Sequence, residues 1–179
     1  AFKGSTGGMH LNAPVIKMAS TPTGNGYWLL ASDGGVFAYG DAQFYGSTGG
    51  MHLNAPVTGI IPTSSGHGYW LVASDGGVFA YGDAAFKGSM GGQHLNQPIV
   101  GIAQSGTGNG YWLVAKDGGI FAFGDATFHG SMGGKGLAQP INSIHALADG
   151  SGYVLFGGDG GVFAFGDASF FGNPGSDLH

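Results

Sequence analysis

The sequence predicts an all-β fold, a β-propeller of four blades, on three observations. One segment occurs four times, as "GYWLLASDGGVFAYGDAQFYGS", "GYWLVASDGGVFAYGDAAFKGS", "GYWLVAKDGGIFAFGDATFHGS" and "GYVLFGGDGGVFAFGDASFFGN". The copies start at Gly26, Gly68, Gly110 and Gly152, a constant step of 42 residues, and repeats of this length mark solenoids, propellers or arrays. The apolar residues inside each copy are β-branched or aromatic, glycine punctuates them, and no stretch keeps a 3.6-residue rhythm. The fold is expected to be one repeat domain over residues 1–179, with units near 6–47, 48–89, 90–131 and 132–173 and residues 1–5 as a surplus outer strand.

Four strands are expected per unit. "APVTGII" (55–61) is the first, and Pro56 suits a strand start because its missing N–H costs nothing there. "GYWLVAS" (68–74) is the second and "GVFAYGD" (77–83) the third. They are joined by Asp75-Gly76, read as a two-residue type I′ turn. That turn would oppose Trp70 to Tyr81 and Val72 to Phe79, placing these four on one bulky face. Tyr69, Leu71, Ala73, Val78 and Ala80 would form a smaller opposite face. The fourth strand is the short "AAFKGS" (84–89). Both faces are apolar, so a lone sheet would expose both. A neighbouring copy is the natural cover.

The pattern "P-V-x-G-I" followed by "G-Y-W-L-V-A-x-D-G-G-V-F-A-F-G-D-A-x-F-x-G-S" resembles the tandem repeats of secreted and surface proteins of actinobacteria, and its strand order is similar to that of β-propeller blades. The resemblance covers essentially the whole chain. It implies an extracellular or cell-surface location, often beside wall-directed hydrolase domains.

The "F-x-G" motif occurs five times, at Phe2, Phe44, Phe86, Phe128 and Phe170, one more than the units. The expectation is a ring closed by exchange of a terminal strand, "AFKGS" or "ASFFGN" completing the last blade. The alternative is an open array that completes a larger ring by dimerising.

Composition narrows the function. Lysines number five, and arginine and glutamate are absent. Eight of ten aspartates fall at two repeat positions, so the net charge of −5 reflects turn chemistry, and no cationic surface is present for nucleic acid. No apolar run reaches the roughly 18 residues of a membrane span, and no membrane insertion is expected. No secretion signal begins the chain, whose first residue looks like the start of an excised piece. Zero cysteine excludes disulfides, thiolate metal sites and cysteine nucleophiles.

Asp33, Asp75, Asp117 and Asp159 are read as turn formers. Asp41, Asp83, Asp125 and Asp167, in "G-D-A", are expected to accept local backbone N–H groups. Trp28, Trp70 and Trp112 with Phe37, Phe79, Phe121 and Phe163 are assigned to the structural core. The loops between units repeat "GGMHLNAPV" twice and then "GGQHLNQPI". They supply the candidate ligand-binding residues His10, Asn12, His52, Asn54, His94 and Asn96, whose other reading is a structural one, satisfying loop carbonyls and amides, and which Gly136 and Ala138 replace in the last copy. Polar side chains with glycine, repeated on one end of a propeller, suit ligand binding. No metal site, cofactor or catalytic residue is assigned, because no nucleophile elbow or phosphate-cradling motif is present and repetition is a poor route to one asymmetric catalytic constellation. The expected function is a non-catalytic extracellular binding or attachment module for glycan or cell-wall polymer. Its rival is a structural spacer or self-assembly scaffold, with self-association through a terminal strand.

Overall fold

The computed structural model describes residues 2–172. Among them there is no helix, and so none long and apolar enough to cross a membrane. The first unit contributes β1 (Val15–Ser20), β2 (Gly26–Ala31) and β3 (Val36–Gly40), and the second β4 (Val57–Pro62), β5 (Gly68–Ala73) and β6 (Val78–Gly82). The third contributes β7 (Ile99–Gln104), β8 (Gly110–Ala115) and β9 (Ile120–Gly124), and the fourth β10 (Ile141–Ala146), β11 (Gly152–Gly157) and β12 (Val162–Gly166). Each trio is a three-stranded antiparallel meander in chain order. Four sheets of three strands, one per unit, therefore stand in place of the expected four-stranded blades.

The hairpin turn corrects the expected register. Gly76 N–H donates to the Ala73 carbonyl at 2.9 Å, and Ala73 N–H to the Gly77 carbonyl at 2.8 Å. Gly76 has φ +82°, while no residue other than glycine has positive φ among the described residues. Ser74 and Asp75 thus form a type I turn closed by a left-handed glycine, a three-residue loop with a G1 bulge and not a type I′ turn. The pairing slips by one residue, to Trp70↔Ala80 and Tyr69↔Tyr81. One residue of slip exchanges the faces. Trp70, Val72, Val78 and Ala80 now share one side, called the Trp face, and Tyr69, Leu71, Phe79 and Tyr81 share the other, the Tyr face.

Both faces are bulky, and they pack Trp face to Tyr face. Trp28, Leu30 and Val36 meet Tyr69, Leu71 and Phe79. Trp70, Val72 and Val78 meet Tyr111, Leu113 and Phe121, and Trp112, Val114 and Ile120 meet Tyr153, Leu155 and Phe163. At each interface the Trp and Tyr ring centroids stand 5.7, 5.7 and 5.4 Å apart. The three tryptophans are buried, as expected of core, whereas Phe37, Phe79, Phe121 and Phe163 are only half-buried at the sheet margin.

First strands lie against the next unit's first strand, while third strands stand apart. Glycine permits the close approach on the inner side: a Cβ on Gly59 would sit 3.0 Å from Val72 Cγ1 and 3.4 Å from Ile102 Cγ2. The sheets consequently fan out, and a wedge opens between their outer parts.

The segment read as a fourth strand fills that wedge as a strap without strand structure. Trp28, Trp70 and Trp112 donate their indole N–H to the carbonyls of Gln43, Ala85 and Thr127 at 2.8, 2.9 and 2.8 Å. Tyr69, Tyr111 and Tyr153 of the following sheet donate to the carbonyls of Gly46, Gly88 and Gly130 at 2.5 Å, and Tyr27 does the same to Gly4. At Gly46 a Cβ would meet Tyr81 Cδ1 at 2.4 Å, so only glycine lets the strap lie flat on the ring. Strap and sheets leave no buried side-chain polar atom unpaired among the described residues. The phenylalanines of "F-x-G" point outward and are exposed in all five copies.

The expected closure is not formed. Among the described residues no strand of the fourth sheet touches one of the first, so the four sheets make an open fan. The surplus outer strand is likewise corrected: residues 2–5 form the strap over the first Tyr face, and 168–172 are not a strand. Ala1 and Asn173 of those two segments lie outside the described residues.

Candidate binding site

In a meander the second-to-third-strand turns and the starts of the first strands fall at the same end of every sheet. The straps also arrive there. Each strap tip makes a turn, with Met51 N–H donating to the Thr48 carbonyl at 2.9 Å, and docks on the preceding hairpin, where Met90 N–H donates to the Gly76 carbonyl at 2.9 Å and Met132 N–H to Gly118 at 3.0 Å. Beyond the tip runs His-Leu-Asn. Leu53, Leu95 and Leu137 turn inward onto the three core clusters. The alternation of an extended chain then turns His10, Asn12, His52, Asn54, His94 and Asn96 outward, and all six are exposed.

These residues border two kinds of hollow. The first lies between a His-Leu-Asn segment, its own hairpin and the next strap tip. In unit one it holds about 340 Å³ and is lined by His10, Asn12, Asp33, Gly35, Phe37 and Gly50. Its counterpart in unit three holds about 190 Å³, with His94, Asn96, Asp117, Gly119, Phe121 and Gly134. The second kind lies on the other flank of the hairpin. Ser32, Asp33, Met51, His52 and Asn54 line one of about 400 Å³. The corresponding hollow at the last junction holds about 270 Å³ and exchanges these for Lys116, Asp117, Lys135, Leu137 and Ala138.

The hairpin aspartates therefore have a second place in the site that their turn role alone did not suggest. Oδ1 of Asp33, Asp75, Asp117 and Asp159 accepts the N–H two residues on, from Gly35, Gly77, Gly119 and Gly161, each at 2.9 Å. This is the Asx turn expected of the other aspartate set. It fixes one carboxylate oxygen of Asp33 and Asp117, the two hairpin aspartates that line the hollows. The signal in the sequence was the 42-residue step shared by "HLN" and "DGG", which puts both at one end once the strand directions are set.

Asp41, Asp83 and Asp125 sit at the opposite end. Each accepts hydroxyl groups from the turn after the first strand, a partner set not expected from the sequence, with its own backbone N–H as a lesser donor. Asp83 takes Thr63 at 2.8 Å and Ser65 at 2.5 Å, Asp41 takes Thr21 at 2.9 Å and also Thr23, and Asp125 takes Ser105 at 2.7 Å and also Thr107. Those hydroxyl donors, Thr23, Ser65 and Thr107 first among them, hold the three carboxyls below the usual value of 3.8. Leu147 and Asp149 replace the hydroxyl pair in unit four, so Asp167 has no such donors. The loop histidines are not brought together, and no three His or Asp side chains among the described residues converge as metal ligands would.

Compared with known proteins, the chain matches no family model and no curated sequence.

Proposed function

We propose that the protein is a non-catalytic binding module that holds a polyhydroxylated polymer, a glycan or cell-wall polysaccharide, along its row of hollows. The observation that supports this reading is the repeated convergence of an imidazole, a carboxamide, a carboxylate and glycine backbone around one half-buried phenylalanine. Amide and carboxylate groups pair with hydroxyls, and an aromatic edge suits the apolar side of a sugar ring. A row of similar sites on one rigid fan matches a ligand that itself repeats, and several weak contacts then add through effective concentration. The secreted, surface setting of the resembling repeats is part of the same proposal.

A glycan array spanning bacterial wall and host polysaccharides tests it. The expected result is binding to a small set of polymers, reduced at least tenfold in a triple His10→Ala, His52→Ala, His94→Ala variant whose melting is unchanged. A flat array with folded protein would sink the reading and leave the spacer role standing.

A further inference from the structure

The two ends of the fan present opposite faces of the repeated sheet. Outward on the fourth sheet is a Trp face with Val154, Phe156, Val162 and Ala164, and Phe156 is 39% exposed whereas its counterparts Val72 and Val114 are fully buried. Outward on the first sheet is a Tyr face with Tyr27, Leu29, Phe37 and Tyr39, half-buried under its strap. Tyr69, Leu71, Tyr111 and Leu113 at the same positions of units two and three are fully buried.

A backbone ladder along the inner end makes the complementarity specific. Ser32 N–H donates to its own unit's Pro14 carbonyl at 3.0 Å, and its carbonyl accepts Val57 N–H of the next unit at 2.9 Å. Ser74 joins Pro56 to Ile99 in the same way, and Lys116 joins Pro98 to Ile141. Gly158 N–H takes the Pro140 carbonyl at 2.9 Å, and there the ladder reaches its last unit. Its carbonyl occupies the position from which three others accept the following unit. Val15 begins the ladder, and its N–H occupies the position from which Val57, Ile99 and Ile141 donate to the preceding unit.

We propose that a second copy of this chain docks head to tail, the fourth sheet of one copy on the first sheet of another, with Gly158 C=O accepting Val15 N–H and Phe156 entering the Tyr27–Leu29–Phe37 face. The occupant follows from continuity with an interface the chain already builds three times. Substitution in unit four fits this junction. Val154 stands where Trp28, Trp70 and Trp112 need a strap carbonyl for the indole N–H, so the docked face buries no donor that lacks an acceptor. The inference is independent of the polymer-binding reading.

The test is mass by light scattering on the full chain, with two single variants. Wild type is expected as a species of two or more 17.9 kDa copies. Phe156→Asp and Leu29→Asp, which spoil opposite ends, are each expected at the mass of one copy. Mixed in equal amounts they are expected to form a species of two copies, because each supplies the end the other lacks. Val15→Pro removes the donor N–H at a strand start that tolerates proline and exchanges the valine side chain for a ring of similar bulk, and it is expected to weaken assembly at least about tenfold, one hydrogen bond's worth. It serves if Leu29→Asp loses its β-sheet circular dichroism. Single-copy wild type at all concentrations would overturn the proposal. So would a Leu29→Asp variant that still self-associates while folded, since that requires like ends to meet.

Discussion

The middle sheets and the end sheets are built from nearly the same words and are buried differently. Every residue of β5 and β8 is buried. In β2 the residues pointing away from the fan, Tyr27 and Leu29, are only half-buried, and in β11 the opposite set, Val154 and Phe156, opens to solvent. The difference teaches that a unit's core is not its own. Each sheet contributes half of two interfaces, and sequence identity between copies does not make them equally stable.

Removing the ring at the centre of an interface should have the largest effect. Trp70→Ala is expected to lower stability by about 3–5 kcal/mol, the range for emptying a buried aromatic site, because it also strands the Ala85 carbonyl. At the matching terminal position, Val154→Ala is expected to cost less than about 1 kcal/mol in dilute protein. Chemical denaturation of both variants checks the pair. Equal losses would break the comparison.

Turn geometry ranks next. A methyl group on Gly76 would lie 2.5 Å from Met90 Cβ in a left-handed backbone conformation, so Gly76→Ala is expected to cost about 1–3 kcal/mol. Smaller still is Tyr69→Phe, which leaves the Gly46 carbonyl without its donor and is expected to cost about 1–2 kcal/mol. Tyr27→Phe, on the open face, should cost less by thermal melting.

Acid sharpens the comparison by charge. The carboxyls of Asp41, Asp83 and Asp125 are held below their ordinary value by hydroxyl donors. A depressed folded value means these bonds stabilise the protein in full above the unfolded value of 3.8 and are lost as pH falls through the lower folded value. Stability measured from pH 6 downward should therefore drop below about pH 4, and Asp83→Asn should flatten part of that drop. Unit four lacks the hydroxyl pair, but Asp149 there accepts Ser151 N–H and the Ser151 hydroxyl and is held below 3.8 by them, so it contributes in the same sense.

Much of the fold was legible in the sequence because it lies in local pattern. The 42-residue step, the three strand segments and the hairpin position follow from Pro56, the Gly-Tyr-Trp run and Asp75-Gly76. The register was not, since Asp-Gly serves both a type I′ turn and a type I turn with a G1 bulge, and only the sign of φ at Asp75 separates them. "AAFKGS" reads as a strand by its aromatic, yet the strap's bonds go to indole and phenol groups on two different sheets, a relation no single unit contains. Closure depends on the angle summed over three interfaces, which no residue encodes alone. At the candidate site, His10, Asn12 and their copies were visible as exposed loop polar groups, while Asp33 and Asp117 were hidden behind a sufficient turn explanation.

Native-state hydrogen exchange resolved by strand tests most directly whether neighbouring units make each other's core. In dilute protein, the amides of β5 and β8 are expected to exchange only through global unfolding, with β2 and β11 faster and β3 and β12 fastest. Equal protection across all four sheets, or slowest exchange in β11 and β12, would contradict the account.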